Sequence, residues 1–559
     1  MKKIIKSFAL VTAFVALTTS CNDVLDLNDT KTFGDMAIWS SQKTADGYVT
    51  AAYKTFNDQS NVYVREKYYD NYSDLMKSPY RWIGGTYNRA LLEANEFYSG
   101  SAGLFSCWDA TYLRIKRTNL LLNDLERYGQ KWGDEWYTTR RAEARFCNAI
   151  NYFFLARIYG GVVLRTDHSG GGGWLDDGAY ESDRNRARIS EEETYKYILD
   201  ELQWCADNLP EEWPASWEGR ATKGICYAFI SRIALYAQEW QIAADAAEEC
   251  KKYYELIPDY SHLFDVKYNA ENSKEIIFSI KGSQNIIKNG FDSDNRPYGD
   301  RLVYNTQTFA MGQPTAELVD MYEFNDGTAF DWNTYQSKHK DPYTDREPRF
   351  HATVLYNGCK WEGRTIETFV DGTDGFKDFS FVEDNADGHT VTGYYLRKYL
   401  QEGNADFTTK GSYNTDIVIR YAEVLLNKAE AYAMLNQAEK SLAALNEVRE
   451  RVHLPGKSLA DAMTTDDLMK LVRHERCVEL AGEGLRIFDL RRWRLAESVI
   501  NGKNVHGHKI TRNDEGKFSY ETVDADGGMK RIFLPHFYYL SIPTQEISQN
   551  KLCKDNPVW

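Results

Sequence analysis

Apolar residues recur at helical spacing over much of the chain and predict a mainly α fold. In eight segments they return every three or four residues, which places them on one face of a helix. These segments lie near 108–127, 138–159, 190–208, 222–237, 239–254, 416–435, 438–452 and 466–482. The stretch from about 255 to 415 is instead rich in Gly, Asp, Asn and aromatic residues. It holds two short runs typical of strands, at 275–280 and 393–399.

Two pairs of neighbouring helical segments share one pattern of small residues at positions where two helices must approach closely. These residues are Ser231, Ala234, Ala243, Ala247, Ala429, Ala438 and Ser441. The pattern is typical of tetratricopeptide-type hairpins, which bury their faces only by stacking on other hairpins. We therefore expect a helical scaffold over about 31–254 and 416–559, and a loop-rich subdomain over about 255–415. Loops on a rigid scaffold are where binding residues usually lie.

The first residues have the features of a secretory signal. A basic start is followed by a short apolar run to Leu17, then by small residues and Cys21. The run is shorter than the roughly 20 residues of a membrane-spanning helix. Because a cysteine follows the small residues directly, 1–20 looks like a bacterial lipoprotein signal, with acylation at Cys21 and a tether over 21–30. Thr18 stands where such signals usually have leucine, so an ordinary secretory signal is the alternative.

Composition narrows the class of ligand. The net charge of −15 and the pI near 5.3 argue against nucleic acid, which selects basic surfaces. Aromatic residues make up 14% of the chain, with 38 Tyr and 14 Trp. Their rings combine an apolar face with a polar edge, as sugar rings do. This composition favours a carbohydrate ligand, although many of the rings must belong to the core.

Cysteine and histidine usage predicts neither a metal site nor a disulfide framework. Apart from Cys21 there are eight cysteines, none in a C-x-x-C pair, and several lie within helical patterns as small hydrophobic residues. His506 and His508 flank a glycine in a Gly/Asn-rich stretch, where we expect solvated side chains. We predict no metal and no cofactor.

Clustered carboxylates between 473 and 493 raise the alternative of catalysis. Glu475, Glu479 and Glu483 lie four apart, and paired carboxylates serve glycoside hydrolysis. Arginines three or four residues away offer a structural explanation, since such pairs stabilise helices and lock loops onto them. No dinucleotide fingerprint, G-x-S-x-G or H-E-x-x-H motif is present. We predict that the protein is not an enzyme, with a surface glycoside hydrolase as the alternative.

Several motifs in a fixed order resemble those of one family. Residues 473–493 read RHERCVELAGEGLRIFDLRRW, and shorter matches occur at 219–224, 317–322, 420–426 and 542–557. Together they make the chain similar to the SusD/RagB family of Bacteroidetes surface lipoproteins, over nearly its whole length.

The resemblance implies a location, a partner and a cargo. It implies a tetratricopeptide-type scaffold on a lipoprotein anchored in the outer membrane and facing the cell exterior. Acidic Asp23 and Asp26 resemble the surface-export signal of such lipoproteins. The resemblance also implies glycan capture and delivery to a SusC-like TonB-dependent transporter. Since the RagB branch of the family serves peptide import, peptide capture is the second possibility.

A glycan site needs an exposed aromatic ring with hydrogen-bonding side chains beside it. The resemblance points to early and middle regions of the chain, where Trp82 and Trp332 are our leading platform residues. Turn-forming residues near Trp82 favour a loop there. The further candidates are Asp74, Arg81, Tyr87, Asn88, Tyr298, Tyr335, Trp361, Arg364 and Tyr395.

Overall fold

The fold is mainly α in a computed structural model of the chain, as predicted, with about half of the chain helical and only short strands. The structure describes residues 35–57, 67–80, 86–94, 107–166, 185–282, 289–381 and 387–557. Among them, the helices of eleven residues or more are α1 (Trp108–Tyr128), α2 (Asp134–Tyr159), α3 (Glu191–Asn208), α4 (Lys223–Tyr236), α5 (Trp240–Cys250), α6 (Tyr421–Met434), α7 (Ala438–Arg451) and α8 (Thr465–Leu480).

The two predicted helical hairpins are present and close in the same way. In the α4–α5 hairpin, Gln238 has a φ of 58°, and the Glu239 N–H donates to the Ala234 carbonyl at 2.9 Å. In the α6–α7 hairpin, Asn436 has a φ of 57°, and the next N–H donates back at 2.8 Å. A left-handed residue that turns the chain back onto the last helical turn is a common helix end. The repeated turn confirms the hairpin predictions.

Successive helices stack into one scaffold. α1 packs on α2, α2 on α3, α3 on α4, and α5 on α6. The small residues of the hairpins are buried between helices: Ala243 and Ala429 are fully buried, and the Ser441 hydroxyl on α7 donates to the Ala429 carbonyl on α6 at 2.6 Å. One large apolar core runs through this scaffold and a second lies under the loop-rich region.

Shorter helices connect and cover the scaffold. The α-helical ones are Asp35–Ile38, Gln42–Thr50, Lys54–Asn57, Thr86–Glu93, Asn269–Asn272, Phe291–Asn295, Tyr298–Tyr304, Ala316–Met321, Pro348–Thr353, Phe407–Lys410, Arg486–Arg492, Ala496–Ile500 and Thr544–Gln549. The 3-10 turns are Ala51–Tyr53, Tyr69–Tyr72, Gln130–Trp132, Ala215–Trp217, Tyr260–Phe264, Val266–Tyr268, Tyr335–Ser337 and Pro535–Tyr538.

The described strands form five antiparallel pairs. They are β1 (Met76–Lys77), β2 (Ile276–Ile280), β3 (Gln313–Pro314), β4 (Val354–Leu355), β5 (Lys360–Trp361), β6 (Arg364–Thr365), β7 (Tyr395–Leu396), β8 (Asp416–Arg420), β9 (His506–Arg512) and β10 (Phe518–Asp524). β1 pairs with β3, β2 with β8, β4 with β7, β5 with β6, and β9 with β10.

One predicted helix starts later than expected. Residues 416–420 form β8 rather than the first turn of α6, because three consecutive β-branched residues fit a pleated strand and pair with β2. The predicted strand at 275–280 is present as β2. Of the run at 393–399, only Tyr395–Leu396 pairs as a strand.

The carboxylates of the 473–493 segment are buried in ion pairs. Glu475, Glu479 and Glu483 are paired, but with basic residues from distant segments rather than with arginines three or four positions away. These partners are Arg349, Lys398, Arg420, Arg449 and Arg451. Burial alone would raise the pKa of each glutamate, but the cations hold it below its ordinary value. A carboxylate held ionised in this way is a poor general acid, so the structural explanation is favoured.

The histidine prediction is wrong for His508, whereas the His506 side chain is partly exposed. His506 and His508 lie on β9 rather than in a loop, and His508 is buried with Nδ1 2.8 Å from the Tyr394 hydroxyl. Among the described residues, no group of three or more His, Cys, Asp or Glu is arranged to hold a metal ion. The eight cysteines from Cys107 to Cys553 are free and buried, as predicted.

Candidate functional site

A half-buried tyrosine in the loop-rich region stacks on a histidine at the surface. The rings of Tyr298 and His389 lie with centroids 3.7 Å apart and planes 21° from parallel. His389 Nδ1 is 3.0 Å from the Gly375 carbonyl, which only accepts, so this nitrogen carries the proton. Burial, followed by the nearby Lys377, lowers the pKa of His389. The ring is therefore neutral at pH 7 and fixed in orientation behind Tyr298.

Charged and apolar side chains surround this ring pair. Arg301 Nη1 donates to Asp387 Oδ1 at 2.9 Å, and its guanidinium carbon is 5.6 Å from the Tyr298 ring centroid. Leu302 and Val303, on the same helix, are 62% and 57% exposed. We call the group Tyr298, Arg301, Leu302, Val303, Asp387 and His389 the Tyr298 surface. It combines an aromatic ring, hydrogen-bond donors and acceptors, and exposed apolar groups.

Buried ion pairs fix the helix that carries this surface. The Gly299 N–H donates to Asp374 Oδ1 at 2.9 Å. Arg364 bridges two carboxylates, with Nη2 2.8 Å from Asp300 Oδ1 and Nη1 2.6 Å from Asp374 Oδ2. Burial opposes the charge of Arg364, but both carboxylates raise its pKa, so it stays a cation. Arg364, a predicted site residue, thus lies beneath the Tyr298 surface and holds its helix in place through Asp300 and Asp374.

Trp361 and Tyr395 lie in the core under the same helix. Trp361 is 1% exposed and its Nε1 donates to Asp300 Oδ2 at 2.9 Å. Tyr395 is fully buried and its hydroxyl donates to the Asp374 carbonyl at 2.9 Å. Neither ring presents a face at the surface, so the expectation of an exposed platform at these two positions is corrected. Their role is to support the residues that position Tyr298.

The early candidates within the described chain are engaged internally. Asp74 accepts two hydrogen bonds from Arg486, at 2.9 and 2.8 Å. Asn88 is buried, accepts from Lys77 Nζ at 2.7 Å, and donates to the Tyr80 carbonyl at 2.7 Å. Both side chains therefore tie segments of the fold together, which corrects their expected role in direct contact with sugar hydroxyls.

Of the three remaining early candidates, the structure describes only Tyr87. Tyr87 is half-buried, and its ring centroid is 4.6 Å from that of Tyr72. Arg81 and Trp82 lie outside the described residues. Tyr80, the last described residue before them, packs on Phe309 with ring centroids 6.2 Å apart.

Trp332 and Tyr335 belong to a different aromatic cluster. The Trp332 ring is half-buried, and its centroid is 4.3 Å from that of His508 and 5.3 Å from that of Tyr520. Its Nε1 donates to Asp320 Oδ1 at 2.9 Å. Tyr335 is 5% exposed. Since the Trp332 ring has neighbours on several sides, we interpret it chiefly as a packing residue, and the described chain shows no ring contact between this cluster and Tyr298.

The sequence analysis missed most of the Tyr298 surface. His389 gives no signal on its own, because its stacking partner comes from a distant segment. The run from Tyr298 to Tyr304 carries a weak signal, since adjacent Leu302 and Val303 in a short helix do not fit one buried face.

Comparisons with known proteins agree with this architecture. A family model described as the SusD family matches residues 274–559, and one described as starch-binding and associating with the outer membrane matches residues 23–235. A SusD-like protein of Bacteroides ovatus is 24% identical over 615 aligned residues, covering 100% of this chain and 99% of the relative.

Solved structures show the same likeness. A SusD-like protein of Bacteroides fragilis is 25% identical with a TM-score of 0.77, covering 94% of this chain and 99% of its own. Another from the same organism, described as a SusD-like carbohydrate-binding protein, is 25% identical with a TM-score of 0.75, covering 92% of this chain and 100% of its own. With a family model matching more than half of its residues, the chain belongs to the SusD/RagB family.

Proposed function

We propose that this chain captures glycans at the bacterial surface and that the Tyr298 surface binds the sugar. The observation that carries the proposal is the Tyr298 ring, braced by His389 and flanked by the Arg301–Asp387 ion pair. A sugar ring stacks its apolar face on an aromatic ring, while its hydroxyls bond to charged and polar groups around it. A relative described as carbohydrate-binding, similar over nearly the whole chain, supports this cargo.

The charge of the surface favours a neutral glycan. The Arg301 and Asp387 charges balance each other, and the chain as a whole carries −15. An anionic polysaccharide would meet net repulsion, whereas hydroxyls of a neutral sugar find both donors and acceptors. We therefore propose neutral oligo- or polysaccharides as the cargo class.

A binding screen with an activity readout tests this proposal. Mature protein is run in native gels containing laminarin, starch, xylan, galactomannan or arabinan, and reducing ends are measured after prolonged incubation. We expect retardation in at least one glycan without release of reducing ends. Release would instead support the alternative of a surface hydrolase. Retardation by no glycan, together with binding to a mixed peptide digest, would overturn glycan capture in favour of peptide capture.

We further propose that Cys21 anchors the protein in the outer membrane. The support is the lipoprotein-like signal before Cys21 and the family description that places such proteins at the outer membrane. Acylation at several positions on one cysteine gives firm attachment, because a single chain holds only marginally. Within the described part of the chain, no helix combines the length and apolar character needed to cross a bilayer.

Delivery to a SusC-like TonB-dependent transporter completes the proposal and rests on family membership. Affinity purification of the native lipoprotein from membranes in mild detergent tests it. We expect a large β-barrel protein to co-purify in a fixed ratio with the lipoprotein. Purification of the lipoprotein alone, at detergent levels that keep other outer-membrane complexes intact, would count against the partnership.

A further inference from the structure

A cavity lies on the loop-rich region and is lined by none of the residues of the Tyr298 surface. It is a cavity of about 550 Å³ between the two 3-10 turns Tyr260–Phe264 and Val266–Tyr268, the helix Pro348–Thr353 and residues 397–402. This volume is within the roughly 300–1,000 Å³ of typical small-ligand sites. Polar and aromatic side chains line it together, which is the composition that a sugar requires.

A flat pair of rings forms one wall. Tyr268 lies on His262 with centroids 3.5 Å apart and planes only 5° from parallel, and Tyr268 is 37% exposed. A hydrogen bond orients the histidine, with Nδ1 3.1 Å from Glu271 Oε2, and Asp259 Oδ2 lies 3.4 Å from Nε2. Tyr268 is therefore a supported, partly exposed ring at the edge of a cavity.

The local sequence explains why the two rings meet. Asp259 Oδ1 accepts from the Ser261 N–H at 2.9 Å and begins the first 3-10 turn. Asp265 Oδ1 accepts from the Lys267 N–H at 2.9 Å and begins the second. Two successive capped turns bring side chains six residues apart face to face. This geometry is built into the segment before any ligand binds.

Hydrogen-bonding groups lie around the cavity. Arg397 donates through Nη2 to Glu402 Oε2 at 3.4 Å, and both side chains are partly exposed. Asn325 is exposed, and Asp259 and Asp265 are also partly exposed. The accessible charges are thus three carboxylates and one guanidinium, which accept and donate to hydroxyls but repel an anionic sugar.

Trp361 connects this cavity to the Tyr298 surface. It is one of the residues around the cavity, with the Arg397 guanidinium 6.0 Å from its buried ring, while its Nε1 donates to Asp300 under the Tyr298 helix. Trp361 therefore packs beside the cavity and also supports the helix that carries the Tyr298 surface. One glycan chain that engaged both would gain affinity, since the second contact becomes intramolecular.

From these observations, we infer that the cavity is a second carbohydrate site, in which Tyr268 stacks on a neutral hexopyranose unit and Arg397, Glu402 and Asn325 bond its hydroxyls. The inference rests on the proposed glycan capture and adds a second point of attachment to it. Loss of the Tyr268 ring is expected to weaken binding at this site by about 5- to 150-fold, by analogy with base stacking on aromatic residues.

Calorimetric titration of the mature protein tests both sites at once. The probes are maltotriose, laminaritriose, cellotriose and mannotriose, so that each site is titrated by its own molecule. We expect two trisaccharides per chain for the wild type with at least one probe. Tyr268→Ala and Tyr298→Ala should each remove one of the two, whereas Tyr268→Phe, which keeps a flat ring, should retain both. Thermal melting of each variant controls for folding.

The outcomes separate the two proposals. One trisaccharide per chain, lost in Tyr298→Ala and unchanged in Tyr268→Ala, overturns the second site and leaves glycan capture standing. One trisaccharide lost only in Tyr268→Ala supports the second site and overturns the Tyr298 surface. No binding of any probe overturns both. If Tyr268→Ala does not fold, wild-type crystals soaked in the binding trisaccharide decide: sugar density on Tyr298 but none on Tyr268 overturns the site.

Discussion

Arg420 and Glu479 form an ion pair with no exposure to solvent, with Arg420 Nη1 2.6 Å from Glu479 Oε1. Arg420 ends β8, which pairs with β2, whereas Glu479 lies near the end of α8, so the pair joins the β2–β8 strands to a helix of the scaffold. Losing one partner leaves the other charge buried and incompletely compensated.

Arg420→Met should therefore destabilise the protein strongly. Removing one member of a buried pair typically costs about 3–5 kcal/mol. We expect a clear fall in the urea midpoint, measured by far-ultraviolet circular dichroism. Lys196→Ala is the matched control, because its partner Asp200 lies four residues away on α3 and both side chains are mostly exposed. Equal midpoints for the two variants would show that the buried pair does not stabilise the fold.

Acid should weaken the buried ion pairs around Glu479. Burial alone would raise the pKa of Glu479, but Arg451, Arg420 and Arg349 hold it well below its ordinary value. A carboxylate with a depressed folded pKa stabilises the fold above its unfolded pKa of about 4.3, and this contribution is lost as pH falls through the folded value. Glu483 and Asp489 shift in the same direction. The urea midpoint should therefore fall steeply below about pH 4, and a midpoint constant down to pH 3 would contradict this account.

The fold was largely predictable because helices rest on local spacing. Apolar periodicity located α1 to α8, and the small residues near Ala243 and Ser441 predicted the hairpins. Arg420 lies in a segment for which local spacing predicted the wrong element. Its segment looked like the start of α6, but its three β-branched residues pair with β2 and form a strand. Its partner Glu479 is likewise brought close by tertiary structure, which no local pattern reports.

The candidate site was predictable only in part, for the same reason. Tyr298 was among the sequence candidates, but the sequence ranked Trp332 above it. The burial of Trp332 depends on His508 and Tyr520, which belong to a hairpin near the C-terminal end of the chain. The support of Tyr298 depends on His389, also distant in sequence. Exposure of an aromatic side chain is a property of its neighbours in space, so residue type alone could not rank these rings.

Trp332→Ala should lower stability more than it lowers glycan affinity. The substitution removes a half-buried ring and leaves Asp320 Oδ1 without its indole donor. We expect a cost of about 3 kcal/mol, the lower end of the range for buried aromatic residues, read as a lower melting temperature. The melting temperature of Trp332→Phe, which keeps most of the ring contacts, should lie between those of the wild type and Trp332→Ala. An unchanged melting temperature with a large loss of glycan binding would restore Trp332 as a platform residue.

Cys21→Ala should release the protein from membranes. Without the thiol there is no site for acylation, so the mature chain should appear in soluble fractions and incorporate no labelled palmitate. Cys553→Ala is the control, because this cysteine is buried within the described fold and should not affect attachment. A Cys21→Ala variant that still sediments with outer membranes and takes up palmitate would refute the anchor.

Tyr298→Ala should weaken glycan binding without unfolding the protein. The ring is half-buried and its helix is held independently by Asp374 and Arg364, so the fold should tolerate its loss. Stacking of this kind contributes about 1–3 kcal/mol, which corresponds to a loss in affinity of about 5- to 150-fold. His389→Phe should retain most of the affinity, because a neutral flat ring still braces Tyr298, whereas His389→Ala should lose part of it. Tyr227→Ala, at a half-buried tyrosine on α4, is the matched control and should bind as the wild type does. Equal affinities for the wild type and both Tyr298→Ala and His389→Ala, measured by calorimetry with the glycan that retards the protein in gels, would exclude this surface as the binding site.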